Sequence, residues 1–124
     1  ISINYYCNVR YDLSYTSANG RLINTDVHNG AIGPETGPNA NKYDSGGGNF
    51  SPTFFAALDY VIGNPLGQTA LMSAGAPFVA AANLPPKSGS DLLYFTPHQL
   101  LPGQYLTAGH YQDTFTISIT PRAL

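Results

Sequence analysis

Apolar and polar residues alternate over the first fifteen positions of the chain. Ile1, Ile3, Tyr5, Cys7, Val9, Tyr11, Leu13 and Tyr15 form one series. Ser2, Asn4, Tyr6, Asn8, Arg10, Asp12 and Ser14 form the other, and all of these but Tyr6 are polar. Side chains of an extended chain point to opposite faces in turn, so this period-two pattern predicts a strand with one buried face. It is much longer than a typical strand of five or six residues, and unbroken it would reach roughly 50 Å. Two uses fit: one very long strand, or a strand that crosses from one sheet or subunit to another. The same alternation returns near the end, where Phe115, Ile117 and Ile119 oppose Thr114, Thr116, Ser118 and Thr120 and Pro121 stops the run.

Between these ends the punctuation is dense. Asn19-Gly20, Asn29-Gly30, Gly33-Pro34, Gly37-Pro38 and Gly46-Gly47-Gly48 are turn chemistry that leaves room only for short strands such as Arg21–Val27. Positions 35–50 read as an exposed, irregular loop. Phe54–Ile62 is apolar and reads as a buried strand or a two-turn helix, ended by Asn64-Pro65. Thr69–Met72 and Pro77–Ala82 are small and Ala-rich, leaving a helical turn open near Phe78–Ala82. Pro85-Pro86 and Ser88-Gly89 mark a turn, and Asp91–Thr96 a strand. Short strands, frequent Gly and Pro and no sustained 3.6-residue period predict an all-β antiparallel sandwich.

At 124 residues the chain fits one domain with a real core. Charged residues are only 10% of it, against about a quarter in ordinary soluble domains, so its polar surface is built from Asn, Ser, Thr, Gln, Tyr and Gly. That palette suits a protein working outside the cytoplasm or against copies of itself. Net charge is −2 and the five basic residues are scattered, which argues against nucleic acid as a partner. No apolar run approaches the ~18–20 residues of a membrane-spanning helix. The chain opens at Ile1, which fits a removed signal peptide or a fragment. Cys7, the one cysteine, cannot form an internal disulfide; it is read as a small buried hydrophobe, with an intermolecular bridge or a reactive thiol as the alternatives.

Candidate chemistry is sparse. His28, His98 and His110 are far apart and share no zinc spacing with Cys7, no calcium loop or G-x-S-x-G elbow occurs, and the Gly46–Gly48 run lacks the Lys-Ser/Thr of a phosphate cradle. His110 and Asp113 are the nearest to an acid–base couple, but on a strand positions i and i+3 face opposite ways. No catalytic residue, cofactor or metal is expected, and the chain is read as no enzyme. Asn49-Phe50-Ser51 matches the N-glycosylation pattern weakly. Nine tyrosines and six phenylalanines with no tryptophan suit strand faces, interfaces or sugar-stacking platforms.

The stretch from Leu106 to Ile119, an apolar residue, then A-G-x-Y-x-D-T, then alternating apolar residues, resembles the ending of bacterial chaperone–usher pilus subunits. It is also similar to spore-coat-U-type domains of the archaic branch, where a Gln-containing stretch precedes it as Leu100–Gln104 does here. The likeness covers about 20 residues. Locally, Gly109 allows a tight turn, Tyr111 plugs a corner and Asp113 bonds nearby amides.

The resemblance implies an immunoglobulin-like sandwich lacking its last strand and completed by a neighbour's N-terminal extension. Residues 1–9 would then be the donor extension and 10–124 the pilin-like body. Ile1, Ile3, Tyr5, Cys7 and Val9 would be the teeth, and Phe115, Ile117 and Ile119 the acceptor-groove edge. Filling such a groove contributes on the order of 8–15 kcal/mol gross. Partners would be identical subunits in a cell-surface filament, with a periplasmic chaperone and an outer-membrane usher during export. Spore-coat-U-type domains carry a cysteine pair where this chain has Cys7 alone; if Cys7 matches the first of that pair, it belongs to the body and the donor shortens to Ile1–Tyr6. The alternatives are a carbohydrate-binding module or tip adhesin using loop 35–50, and a viral or phage capsid-like sandwich protein.

Overall fold

The computed structural model describes residues 2–64, 69–71 and 78–122. In chain order the strands are β1 (Ser2–Cys7), β2 (Tyr11–Ser17), β3 (Leu22–Asn24), β4 (Lys42–Asp44), β5 (Phe50–Phe55), β6 (Ala57–Leu58) and β7 (Tyr60–Gly63). They continue as β8 (Thr69–Leu71), β9 (Phe78–Leu84), β10 (Lys87–Leu92), β11 (Tyr94–Pro97), β12 (Tyr105–Leu106), β13 (Tyr111–Gln112) and β14 (Phe115–Pro121). Among the described residues there is no helix, so none is long and apolar enough to cross a membrane. The chain is all-β, built of several small sheets that are antiparallel except where β12 lies parallel to β5.

The backbone of the fold is a long antiparallel ribbon. β14 pairs with β2 from Phe115↔Ser17 to Pro121↔Tyr11, and β13 pairs with β3. Single bonds from Ala18 N to Thr114 O, Thr25 N to His110 O and Arg122 N to Arg10 O carry the pairing through the joints. β2 is the middle strand of its sheet, paired on its other edge with β9, and its burial alternates strictly. Tyr11 and Tyr15 are almost completely enclosed, and at 150–250 Å² per ring each contributes about 4–6 kcal/mol of gross burial. Leu13, Tyr60, Ile62, Leu93 and Cys7 complete the buried cluster.

The fifteen-residue alternating stretch is not one strand. It bends at Asn8–Arg10, so β1 joins β10 in a two-stranded sheet while β2 enters the ribbon. This is the crossing arrangement, and it keeps the phase, because Cys7 and Tyr11 are both buried. β1 pairs with its own chain from Ser2↔Leu92 to Cys7↔Lys87.

Other expectations shift. Phe54–Ile62 is extended, as parts of β5, β6 and β7, each kinked to join a different sheet. Phe78–Ala82 is strand rather than helical turn, because the second edge of β2 takes it as a partner despite its alanines. Ser88-Gly89 lies inside β10 rather than in a turn; pairing with β1 overrides the local preference. Loop 35–50 is tied down by β4 against β5 and by a Tyr43–Ile32 bridge, and Asn41 within it is buried. The Arg21 guanidinium holds this loop by donating to Gly33 O, Pro34 O and Asn41 Oδ1, and Asn41 Nδ2 donates to Asp59.

Candidate functional site: the C-terminal corner and the groove beside β14

Each residue singled out in the A-G-x-Y-x-D stretch has a contact that explains it. Gly109 sits at φ 148°, and a Cβ there would lie 2.4 Å from Asn24 Oδ1. Any side chain would therefore displace Asn24, which is buried and fully used. Its Nδ2 donates to Thr107 Oγ1 and Ala108 O, both at 3.0 Å, and its Oδ1 accepts from Asp26 N at 2.9 Å. The Tyr111 hydroxyl donates to Thr107 O, four residues upstream, at 2.6 Å. The bond has the local form of a tyrosine corner and fixes the chain's entry into β13.

Asp113 is the hub. It occupies the joint of the ribbon, between β13 and β14, opposite the Ala18–Arg21 turn. Its Oδ1 accepts from Asn19 N at 3.0 Å and Thr114 N at 2.8 Å. Its Oδ2 accepts short bonds from the Ser17 and Tyr60 hydroxyls. Ser17 is wholly buried and its own Oγ accepts from Gly20 N at 2.7 Å. Tyr60 opens β7 in a different sheet, so the hub ties two sheets together. Burial, then the Asp113 hydrogen bond, pushes the Tyr60 hydroxyl up to about 12. The hub is satisfied polar structure of the kind that orients rather than reacts.

His110 and Asp113 do not meet. His110 turns outward and pairs with Asp26, whose Oδ2 lies 2.7 Å from both the His110 N and Nδ1. Those two hydrogen bonds, the backbone one first, hold the Asp26 carboxyl below its ordinary range. His28 rests edge-on against Tyr43, and His98 is exposed. Among the described residues no three His, Cys, Asp or Glu side chains gather as metal ligands. Asn49 is exposed, with its amide donating to Gly46 O at 2.7 Å.

The proposed groove edge is partly covered. Phe115, Ile117 and Ile119 pack half-buried against the core cluster, and β14 ends its sheet, with β2 as its one strand partner among the described residues. β11 likewise ends its own sheet. Where the two approach, the Phe95 and Phe115 rings meet edge-on at 5.1 Å, and Tyr60 lies 6.0 Å from Phe95. Leu22, Tyr60, Phe95, Pro97, Asp113 and Phe115 line an open groove of about 230 Å³ there.

The proposed donor teeth lie elsewhere. Cys7 is in the chain's own core, and Ile3 and Val9 pack against it. Ile1 and the Tyr5 side chain lie outside the described residues. The structure thus places Ser2–Cys7 on the edge of β10, not in the groove beside β14.

Sequence reasoning missed Ser17, Tyr60 and Asn24, whose partners are distant in the chain. It also missed an exposed ring pair, Phe54 and Tyr105, with centroids 6.0 Å apart and exposures of 46% and 58%. No family model, no curated protein and no solved structure matches the chain.

Proposed function

We propose that the chain is a structural, non-catalytic subunit of an extracellular bacterial filament. Its body is an immunoglobulin-like sandwich that takes an added strand along β14. One observation carries this reading: β14 is seven residues long, has an unpaired far edge among the described residues, and keeps its apolar face only half covered. An edge of that kind is a template for an incoming strand. The tyrosine corner and the Asp113 hub hold it in register, as an acceptor requires.

The donor is the neighbour's N-terminal stretch, and here the docked β1 adds a requirement. Because β1 lies on β10 of its own molecule, assembly needs it to leave that edge and pass to the next subunit. β1 is suited to exchange: it has one strand partner among the described residues, whereas β2 has two. The pairing given up at β10 is replaced by pairing along the neighbour's β14.

Negative-stain imaging of the purified chain tests the reading. Fibres are expected, with their loss on deleting residues 1–9 and again on locking β1 to β10 by Asn4→Cys with Ser90→Cys in a Cys7→Ala background. Closed shells, or fibres from the locked chain, would contradict it. A second reading, a carbohydrate-binding module or tip adhesin, is favoured by the exposed Phe54–Tyr105 pair, which offers stacking faces for a sugar ring. A glycan bound by a monomer and lost in Tyr105→Ala would favour that reading.

A further inference from the structure

Two Asn-Gly dipeptides lie in turns of this chain, and the fold treats them oppositely. The peptide nitrogen that follows an asparagine can attack the side-chain amide carbon, and a glycine there, having no Cβ, leaves that nitrogen unshielded. At Asn19-Gly20 the nitrogen is engaged. Gly20 is buried and its N donates to Ser17 Oγ at 2.7 Å, while Asn19 N donates to Asp113 Oδ1 at 3.0 Å. At Asn29-Gly30 both residues are exposed. Gly30 N has no acceptor among the described residues, and the space that a Cβ on Gly30 would fill is open. One backbone bond, Ala31 N to His28 O at 3.0 Å, closes this turn.

His28 adds a chemical element. Its Nδ1 lies 3.1 Å from Asn29 O, and because a carbonyl oxygen only accepts, Nδ1 carries the hydrogen in this contact. When Gly30 N loses its proton, negative charge spreads onto that same oxygen, where a placed donor stabilises it. Tyr43 meets the imidazole edge-on, with ring centroids 6.0 Å apart.

We propose that Asn29-Gly30 is a self-modifying site, with water as co-reactant and His28 as its promoter, and that the Asp113 hub keeps Asn19-Gly20 intact. Gly30 N gives its proton to solvent and bonds to Asn29 Cγ. The Cγ–Nδ2 bond breaks and ammonia leaves, having taken a proton from solvent. Water then opens the cyclic imide at either carbonyl, leaving aspartate or isoaspartate at position 29. The exposed turn gains one negative charge and, in the isoaspartate product, an extra backbone carbon. A single molecule suffices, so the site stands apart from the filament reading.

The test is peptide mapping by mass spectrometry of the intact chain, incubated folded or unfolded in urea. In the folded chain position 29 is expected to convert at least about a hundredfold faster than position 19, whose reaction waits on opening of the hub. In urea the two should convert at like rates. His28→Phe keeps a ring against Tyr43 but cannot donate, and should slow position 29 about fivefold in the folded chain, the rate equivalent of one net hydrogen bond. In urea that difference should vanish, and His28→Gln, which offers an N–H, should restore much of the folded rate. A turn merely loosened by the substitution would react faster, not slower. Equal conversion of both positions in the folded chain, conversion of position 29 only in urea, or a His28→Phe chain as fast as the parent would overturn the proposal. None of these results bears on whether fibres form.

Discussion

The two ends of the chain carry the same kind of pattern and meet different fates. At the N-terminus, β1 alternates apolar and polar residues and is held by β10 alone among the described strands. Its Tyr6 remains 75% exposed, and Leu92, opposite Ser2 on β10, is about half exposed. At the C-terminus, β14 alternates in the same way but lies on β2, whose alternate side chains are buried, and is anchored at its start by the Asp113 hub and at its end by Arg122, which donates to Asp12 at 2.7 Å. Alternation decides which side chains turn inward. Since β1 and β14 each pair along one edge, what sets them apart is the set of polar ties at their ends and the burial of the strand each lies on.

That contrast can be broken first at the hub. Asp113→Ala should cost about 3–4 kcal/mol, because the buried Ser17 and Tyr60 hydroxyls lose their shared acceptor, each at about 1–3 kcal/mol. Urea denaturation measures it, and a cost under about 1 kcal/mol would make the hub incidental. Next comes a matched pair of truncations. Leu13→Ala in β2 should cost about 3 kcal/mol, whereas Ile3→Ala in half-buried β1 should cost about 1 kcal/mol. Equal costs would remove the asymmetry between the ends. Smaller still, Tyr111→Phe deletes the corner bond to Thr107 O and should cost about 1 kcal/mol without altering the sheets by circular dichroism.

A pH dependence follows from the same hub. The Tyr60 hydroxyl is raised in the folded chain to about 12 from an ordinary value of 10, so folding favours its protonated form. This contribution is fully present below pH 10 and is lost as pH climbs from 10 to 12. Tyr60→Phe should remove that part of the alkaline decline; an unchanged decline would assign it to other tyrosines.

Much of the outline was legible in the sequence. The all-β class followed from Gly and Pro punctuation with period-two runs, and both terminal combs were visible by inspection. Whose edge a comb would join was not legible, since any pleated apolar face accepts one; β10 won β1 even through Ser88-Gly89, a local turn signal. The partners of Asp113 were equally hidden. Ser17 and Tyr60 lie 96 and 53 residues away in sequence. No local spacing encodes such meetings, although Asn19-Gly20 marked the turn where the carboxylate docks. Phe54 and Tyr105 form a pair only through the parallel register of β5 and β12, the one such pairing described.

Amide hydrogen exchange tests the central contrast most directly, because it reads the opening free energy of each strand in one sample. The bonded amides of β1 are expected to exchange at least about a hundredfold faster than those joining β14 to β2, a difference of about 2.7 kcal/mol. Protection of β1 equal to that of β14 would mean that the N-terminal strand is a fixed part of the body, and it could not then be the strand that passes between subunits.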